Sequence, residues 1–235
     1  SPDMKDDIGI AESVLALTLA DQGKFDEAEK IVSAKLDAIR RQTNVETPEY
    51  CGALTIFGGI LMEKGNYPEA EKNLAEAEVI YRKLYSQTYL PLGDNLRLQA
   101  QTFYFENNFT EAESKINETL EIYKKTGSKY INYPTALTVQ GLILNKEGKS
   151  DAAEKVLREA VRIRLENLPK EHFLTALAES ALGECLTTQR KYAEAETLLS
   201  ASYENLKDSQ GADNPRALLA QNRLFKFYES RKDSR

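Results

Sequence analysis

Gly23-Lys24-Phe25-Asp26-Glu27-Ala28-Glu29 returns four more times along the chain in altered form. The later versions are Gly65-Asn66-Tyr67-Pro68-Glu69-Ala70-Glu71, Asn107-Asn108-Phe109-Thr110-Glu111-Ala112-Glu113, Gly148-Lys149-Ser150-Asp151-Ala152-Ala153-Glu154 and Arg190-Lys191-Tyr192-Ala193-Glu194-Ala195-Glu196. The alanines Ala28, Ala70, Ala112, Ala153 and Ala195 are separated by steps of 42, 42, 41 and 42 residues. Such a period is the mark of a stacked-repeat architecture, in which each unit buries its apolar face only against its neighbours.

Other columns keep the same step. Twelve residues before the alanines stand Ala16, Gly58, Ala100, Gly141 and Gly183, all small. Three residues further on come Leu19, Leu61, Phe103, Leu144 and Leu186, and four residues after the alanines come Val32, Leu74, Ile116, Leu157 and Leu199. Spacings of three and four place these residues on one stripe of an α-helix. Gly23, Gly65, Asn107 and Gly148 mark helix stops, because Gly and Asn tolerate the left-handed backbone that ends a helix. Arg190 departs from that column and is expected to end its helix differently. Asp26, Thr110 and Asp151 are expected as N-caps of the following helices, with Pro68 in a first turn. Each unit therefore reads as helix, tight turn, helix. The small residue on the first helix and the alanine on the second let the two axes approach.

Composition narrows the function classes. Of 235 residues, 31 are Lys or Arg and 37 Asp or Glu, a net charge of −6. That balance argues against nucleic acid, which is held by clustered cations. The sequence holds no apolar run of membrane-spanning length, and no stretch resembles a signal peptide; the expected compartment is the cytoplasm. A lone histidine, His172, rules out a two-histidine metal site and leaves little room for a catalytic triad. In Pro169-Lys170-Glu171-His172-Phe173 it reads as a solvated or helix-capping loop residue. Cys51 and Cys185 match no ligand spacing and read as apolar, reduced residues. Gly148-Lys149-Ser150 has the ending of a phosphate-binding loop, but Ile143 stands where that loop needs glycine, so it reads as a turn. Tyr81 and Tyr123, at equivalent places on second helices, read as core. No metal, cofactor or catalytic set is expected, and the chain is read as a non-enzyme.

These columns resemble the tetratricopeptide repeat, with units about eight residues longer than the usual 34 or so. Gly23–Glu29 and Gly65–Glu71, with the loop Gly211-Ala212-Asp213-Asn214-Pro215, are similar to the repeats of kinesin light chain. The resemblance spans roughly residues 8–230 and implies an all-α, right-handed α-solenoid superhelix of five helix-turn-helix units plus a C-terminal capping helix. The expected boundaries are 8–46, 47–88, 89–131, 132–171 and 172–213, with a cap over 214–231, in a single domain of residues 1–235. The 41-residue step places a deletion around Gly127-Ser128-Lys129. Phe225 falls in the small-residue column of the cap, where no second helix presses on it.

The resemblance implies that the first helices line a concave groove that binds a peptide or partner segment. Helical geometry places the groove residues three before, one after and four after each small residue. The candidates are Ser13, Leu17, Thr55, Met62, Arg97, Gln101, Tyr104, Thr138, Leu142, Asn145, Ser180, Glu184 and Asn222. Arg97 beside Gln101 and Tyr104 forms the strongest candidate cluster, since Arg and Tyr are frequent hot spots. The Lys and Asn pairs of chaperone-binding members and the paired asparagines of kinesin light chain are absent. The leading expectation is a non-catalytic protein-interaction scaffold with a protein or peptide partner, no nucleic acid and no membrane. The alternative is a regulatory segment of a larger bacterial enzyme, because Leu198–Leu206 and Gly211–Arg216 are similar to the C-terminal ends of repeat-bearing serine/threonine kinases. Self-association through the ends of the solenoid, near Phe225 and Tyr228, is a further expectation.

Overall fold

In a computed structural model the chain folds into eleven helices and no strand among the described residues, which are 2–42, 45–126 and 130–232. Side chains are described from Ile10 onward, apart from Thr126. The helices are α1 (Pro2–Asp21), α2 (Phe25–Arg40), α3 (Pro48–Glu63), α4 (Tyr67–Leu84), α5 (Leu90–Phe105), α6 (Phe109–Thr126), α7 (Tyr133–Lys146), α8 (Ser150–Asn167), α9 (Phe173–Thr188), α10 (Tyr192–Gln210) and α11 (Pro215–Lys232). They form two compact units, 1–128 with α1–α6 and 129–235 with α7–α11. The expected deletion at Gly127-Ser128-Lys129 lies outside the described residues.

Each hairpin closes through its columns. A Cβ added to Gly58 would lie 2.6 Å from Leu74 Cγ, one on Gly141 2.4 Å from Leu157 Cγ, and one on Gly183 2.6 Å from Leu199 Cγ. Carbon atoms in contact normally sit about 3.5–4.0 Å apart, so no side chain fits between these helices. The pairing also shows an internal rule. Where the small residue is Gly its partner is Leu (Leu74, Leu157, Leu199); where it is Ala, as at Ala16 and Ala100, the partner is the β-branched Val32 or Ile116. All of these residues, the glycines included, are buried. Larger space on one helix is matched by the bulk reaching from the other, as close packing requires.

The turns are uniform. Gly23, Gly65 and Gly148 take positive φ, and so do Asn107 and Arg190, both near 60°. Arg190 therefore adopts the left-handed conformation after all, and the expectation that it ends its helix otherwise is corrected. Its neighbours impose the geometry: Arg190 N–H donates to Thr187 O and Lys191 N–H to Leu186 O, the same pair of bonds that closes every other turn. The expected N-caps are also corrected. The helices begin two residues earlier, behind Lys24 and Lys149, neither of which makes a side-chain cap bond. Thr110 lies inside α6. Asp26 and Asp151 stand in first turns, where carboxylates favour the positive end of the helix dipole, and they reach the next hairpin: Lys64 pairs with Asp26 at 2.6 Å, and Gln189 donates to Asp151 at 3.1 Å.

Within each unit the first helices touch one another (α1 with α3, α3 with α5; α7 with α9, α9 with α11), whereas the second helices make no comparable contact with each other. The first helices thus form the inner wall and the second helices the outer one. A buried polar network fixes the register of the first unit. Asn95 donates to Thr55 Oγ1, Gln99 donates to Asn95 Oδ1 and to Glu78 Oε2, and Lys115 reaches Glu78 at 2.6 Å. Burial would lift the Glu78 carboxyl, but Lys115, Gln99 and Arg82 outweigh it and hold it below the usual range. Tyr81 and Tyr123 are buried, the latter donating to Asp94 at 2.5 Å. His172 caps α9, its Nδ1 accepting from Leu174 N–H at 3.2 Å.

Candidate inner-wall binding face

The inner wall of the first unit is built from α1, α3 and α5. Of the residues expected to face the groove there, Leu17 is exposed and Gln101 and Arg97 are partly exposed. Ser13 accepts a hydrogen bond from the buried Lys35 at 2.8 Å. Thr55 and Met62 are buried, with Thr55 Oγ1 donating to Cys51 O at 2.9 Å. Tyr104 is buried as well: its ring lies edge-on to Phe105 at 5.5 Å and tilted to Phe109 at 6.0 Å, inside the turn. The structure therefore brings Arg97 and Gln101 together and sends Tyr104 into the packing of its own hairpin.

Arg97 is the distinctive group. Its Nη1 donates to Gln101 Oε1 at 2.8 Å, while its Nε is buried and has no hydrogen-bond partner among the described residues. No carboxylate among the described residues pairs with it. A buried N–H on a charged group without an acceptor is costly, of order 1–3 kcal/mol. The fork of an arginine presents paired donors that match a carboxylate. One repeat earlier, Gly59 stands in the column of Gln101, and its absent side chain faces Leu98 at 3.3 Å. Leu98, next to Arg97, therefore packs directly on the Gly59 backbone.

The inner wall of the second unit has a different character. Glu184 on α9 bridges Lys146 of α7 at 2.8 Å and Arg223 of α11 at 2.7 Å. Burial would raise its carboxyl, yet the two cations outweigh burial and depress it. Ser180 is fully buried and accepts from Arg223 at 3.3 Å. Asn145 is buried, donating to Thr188 Oγ1 and accepting from Ser150. Thr138 donates to Pro134 O within its own helix, Leu142 is buried and Asn222 is exposed. Here the polar groups bolt the three first helices together.

A further inner-wall column, five residues after each small residue, escaped the spacing argument: Glu63, Phe105, Lys146 and Thr188. Each lies one helical turn beyond the column of Gly59, Gln101, Leu142 and Glu184, so the i, i+4 rule was the available signal. Phe105 stacks on Tyr67 at 5.6 Å and gives the first unit an aromatic rim near Gln101.

Reactive groups are muted. Burial pushes the Cys185 thiol up to about 11, with Glu154 and Glu184 adding to the effect, and Cys51 is likewise raised by burial. No group of three or more His, Cys, Asp or Glu side chains among the described residues could hold a metal ion. No helix among them is long and apolar enough to cross a membrane.

Comparison with known proteins agrees with this architecture. The family model of the tetratricopeptide repeat matches residues 49–125 and 132–208. Among solved structures, the chain is similar to a kinesin light chain of Podosopora anserina with nearly identical TPR-like repeats. That likeness has a TM-score of 0.60 and 17% identity over 85% of this chain and 95% of the other. It is also similar to BtubC (BKLC) from P. vanneervenii, with a TM-score of 0.62 and 18% identity over 85% and 80% of the two chains. A Rap protein in complex with Competence and Sporulation Factor is similar at a TM-score of 0.59 and 17% identity, over 94% and 63%. At such identities the likeness establishes the fold. None of the curated proteins compared with the chain matches it.

Proposed function

Since this chain belongs to the tetratricopeptide repeat family, we propose that it is a non-catalytic binding scaffold whose first-unit inner wall holds a carboxylate-bearing segment of a partner protein. The single observation that carries this reading is Arg97, whose buried Nε has no acceptor among the described residues and whose Nη1 donates to the neutral Gln101. A carboxylate from an Asp or Glu side chain, or from a chain end, would satisfy that guanidinium, and Gln101 would turn its amide toward the same ligand. Phe105 with the exposed Leu17 offers apolar contact on the same wall. A ligand-bound Rap protein of the same fold supports a binding role. The raised thiols and the capping His172 support a role without catalysis.

The test uses two labelled peptide libraries that differ only in Glu against Gln, titrated by fluorescence anisotropy. The Glu library is expected to bind preferentially, with the preference lost in Arg97→Gln and weakened in Gln101→Ala while the helical circular dichroism is retained. Equal binding of both libraries, or an unchanged preference in Arg97→Gln, removes this face from consideration.

A further inference from the structure

The loop between α4 and α5 lays two tyrosine rings face to face. α4 stops at Leu84, and Tyr85 is extended, its N–H still donating to Tyr81 O at 2.9 Å. Tyr89 N–H closes a turn on Ser86 O at 3.1 Å, and Tyr89 O accepts from Gly93 N–H of α5 at 3.3 Å. Each ring is thus tied to a helix end, and the Ser86 and Thr88 hydroxyls, 3.1 Å apart, brace the turn between them. The rings of Tyr85 and Tyr89 stack with centroids 3.9 Å apart and planes within 12°. Aromatic pairs ordinarily keep about 4.5–7 Å and avoid full overlap, so the turn sets this contact rather than ring attraction.

The two hydroxyls lie on the same side of the stack. Burial first, and then the Tyr85 hydroxyl beside it, hold the Tyr89 phenol above its ordinary value. Parallel rings with neighbouring hydroxyls also set the Cε carbons of one ring, those next to the hydroxyl carbon, over the Cε carbons of the other. Those are the carbons at which two phenoxyl radicals couple. Both rings are half-buried and so reachable from solution, whereas Tyr81, the third ring of the cluster, is buried and tilted away at 6.4 Å and 5.8 Å. The pair is also peculiar to this loop. The equivalent positions in the other inter-repeat loops hold Thr43 and Thr47, Gly127 and Tyr130, Leu168 and His172, and Gln210 and Asn214.

We propose that Tyr85 and Tyr89 form an oxidative modification site, joined into dityrosine by a one-electron oxidant of the haem-peroxidase class that consumes hydrogen peroxide. Each phenol gives up one electron and one proton. The two radicals form a single C–C bond between facing Cε atoms, and the hydrogens displaced from those carbons return to the two oxygens, restoring the phenols. The two electrons and two protons removed split the O–O bond of one peroxide and leave two waters. Rings already held together couple within the chain far faster than rings that must meet by diffusion. The new bond closes the loop from Tyr85 to Tyr89 and fixes the passage from the second hairpin to the third. It is independent of the carboxylate reading of Arg97.

The test treats the 235-residue chain with a haem peroxidase and limiting hydrogen peroxide, then reads dityrosine fluorescence and tryptic peptide masses. Trypsin releases Leu84–Arg97, which holds both rings and no other tyrosine. The expected product is that peptide lighter by two hydrogens, from a chain that keeps its mass of 26.5 kDa. Tyr85→Phe and Tyr89→Phe, both at half-buried rings, should each abolish it while retaining the helical circular dichroism. The free peptide Leu84–Arg97, whose rings nothing holds together, should give several-fold less under the same oxidant. Absence of the lighter peptide overturns the proposal, as does its survival in either variant. Dityrosine found only in other peptides or between chains, or a yield no greater than that of the free peptide, overturns it equally.

Discussion

Gly141→Ala puts a methyl group 2.4 Å from Leu157 Cγ, more than an ångström inside normal contact. Leu157 is fully buried and cannot step aside, so overpacking costs about 1–3 kcal/mol. Replacing a mid-helix glycine by alanine returns about 1 kcal/mol of helix propensity. The net effect is a loss of about 0–2 kcal/mol, with the clash winning because the contact is to a branch carbon next to the helix backbone. Leu157→Ile alone costs about 1 kcal/mol, as a change of shape at constant volume. The double variant recreates the Ala100–Ile116 pair that the chain already uses, so it should be near wild type. The coupling energy is then about 1–3 kcal/mol in favour of the pair, read from urea midpoints followed at 222 nm; for neighbours in contact, non-additivity of this size is ordinary. Costs of the two single changes that add to within about 0.5 kcal/mol would refute the volume rule of the hairpin interface.

Glu184→Gln leaves Arg223 and Lys146 without their anion in a mostly covered site, and a loss of about 2–3 kcal/mol is expected in urea titration. Because the folded Glu184 carboxyl is depressed, its stabilisation is present above the unfolded value near 4.5 and is lost as pH falls through the lower folded value. Wild-type stability should therefore drop more steeply than that of Glu184→Gln between neutral pH and strongly acidic pH; parallel curves would contradict the bridge. Arg190→Gly relieves a left-handed non-glycine residue and should stabilise by about 1 kcal/mol, measurable as a higher urea midpoint. Cys51 and Cys185, buried with raised thiol values, should resist a thiol reagent at pH 8 in the folded chain and react fully in urea; rapid labelling of the native protein would contradict their burial.

The columns of small and large residues made the hairpins legible, because helix packing depends on side-chain volume at fixed spacing. Ala28, Gly58 and Leu74 could be placed without coordinates for that reason. The turns were less legible. Arg190 enters the left-handed region because the bonds from its own and the next amide fix the turn, a backbone effect that outweighs the side-chain preference. The inner wall was legible as a set of columns but not as a set of accessible groups. Whether Ser180 faces solvent depends on Arg223, which stands 43 residues away in a column otherwise filled by Val14, Ile56, Leu98, Val139 and Ala181. Tyr104 likewise turns on Phe109 and Phe105, whose rings draw it into the hairpin. Reach between side chains of different repeats cannot be read from spacing within one.

The role given to Arg97 is tested most directly by nitrogen-15 and proton spectra of the chain during titration with a Glu-containing peptide selected from the library. The Arg97 Nε–H resonance and the Gln101 amide, with Gly59, should shift first and saturate together, while the outer helices α2 and α4 stay unchanged. Saturating shifts confined to the outer helices, or binding that leaves the Arg97 Nε–H untouched, would contradict it.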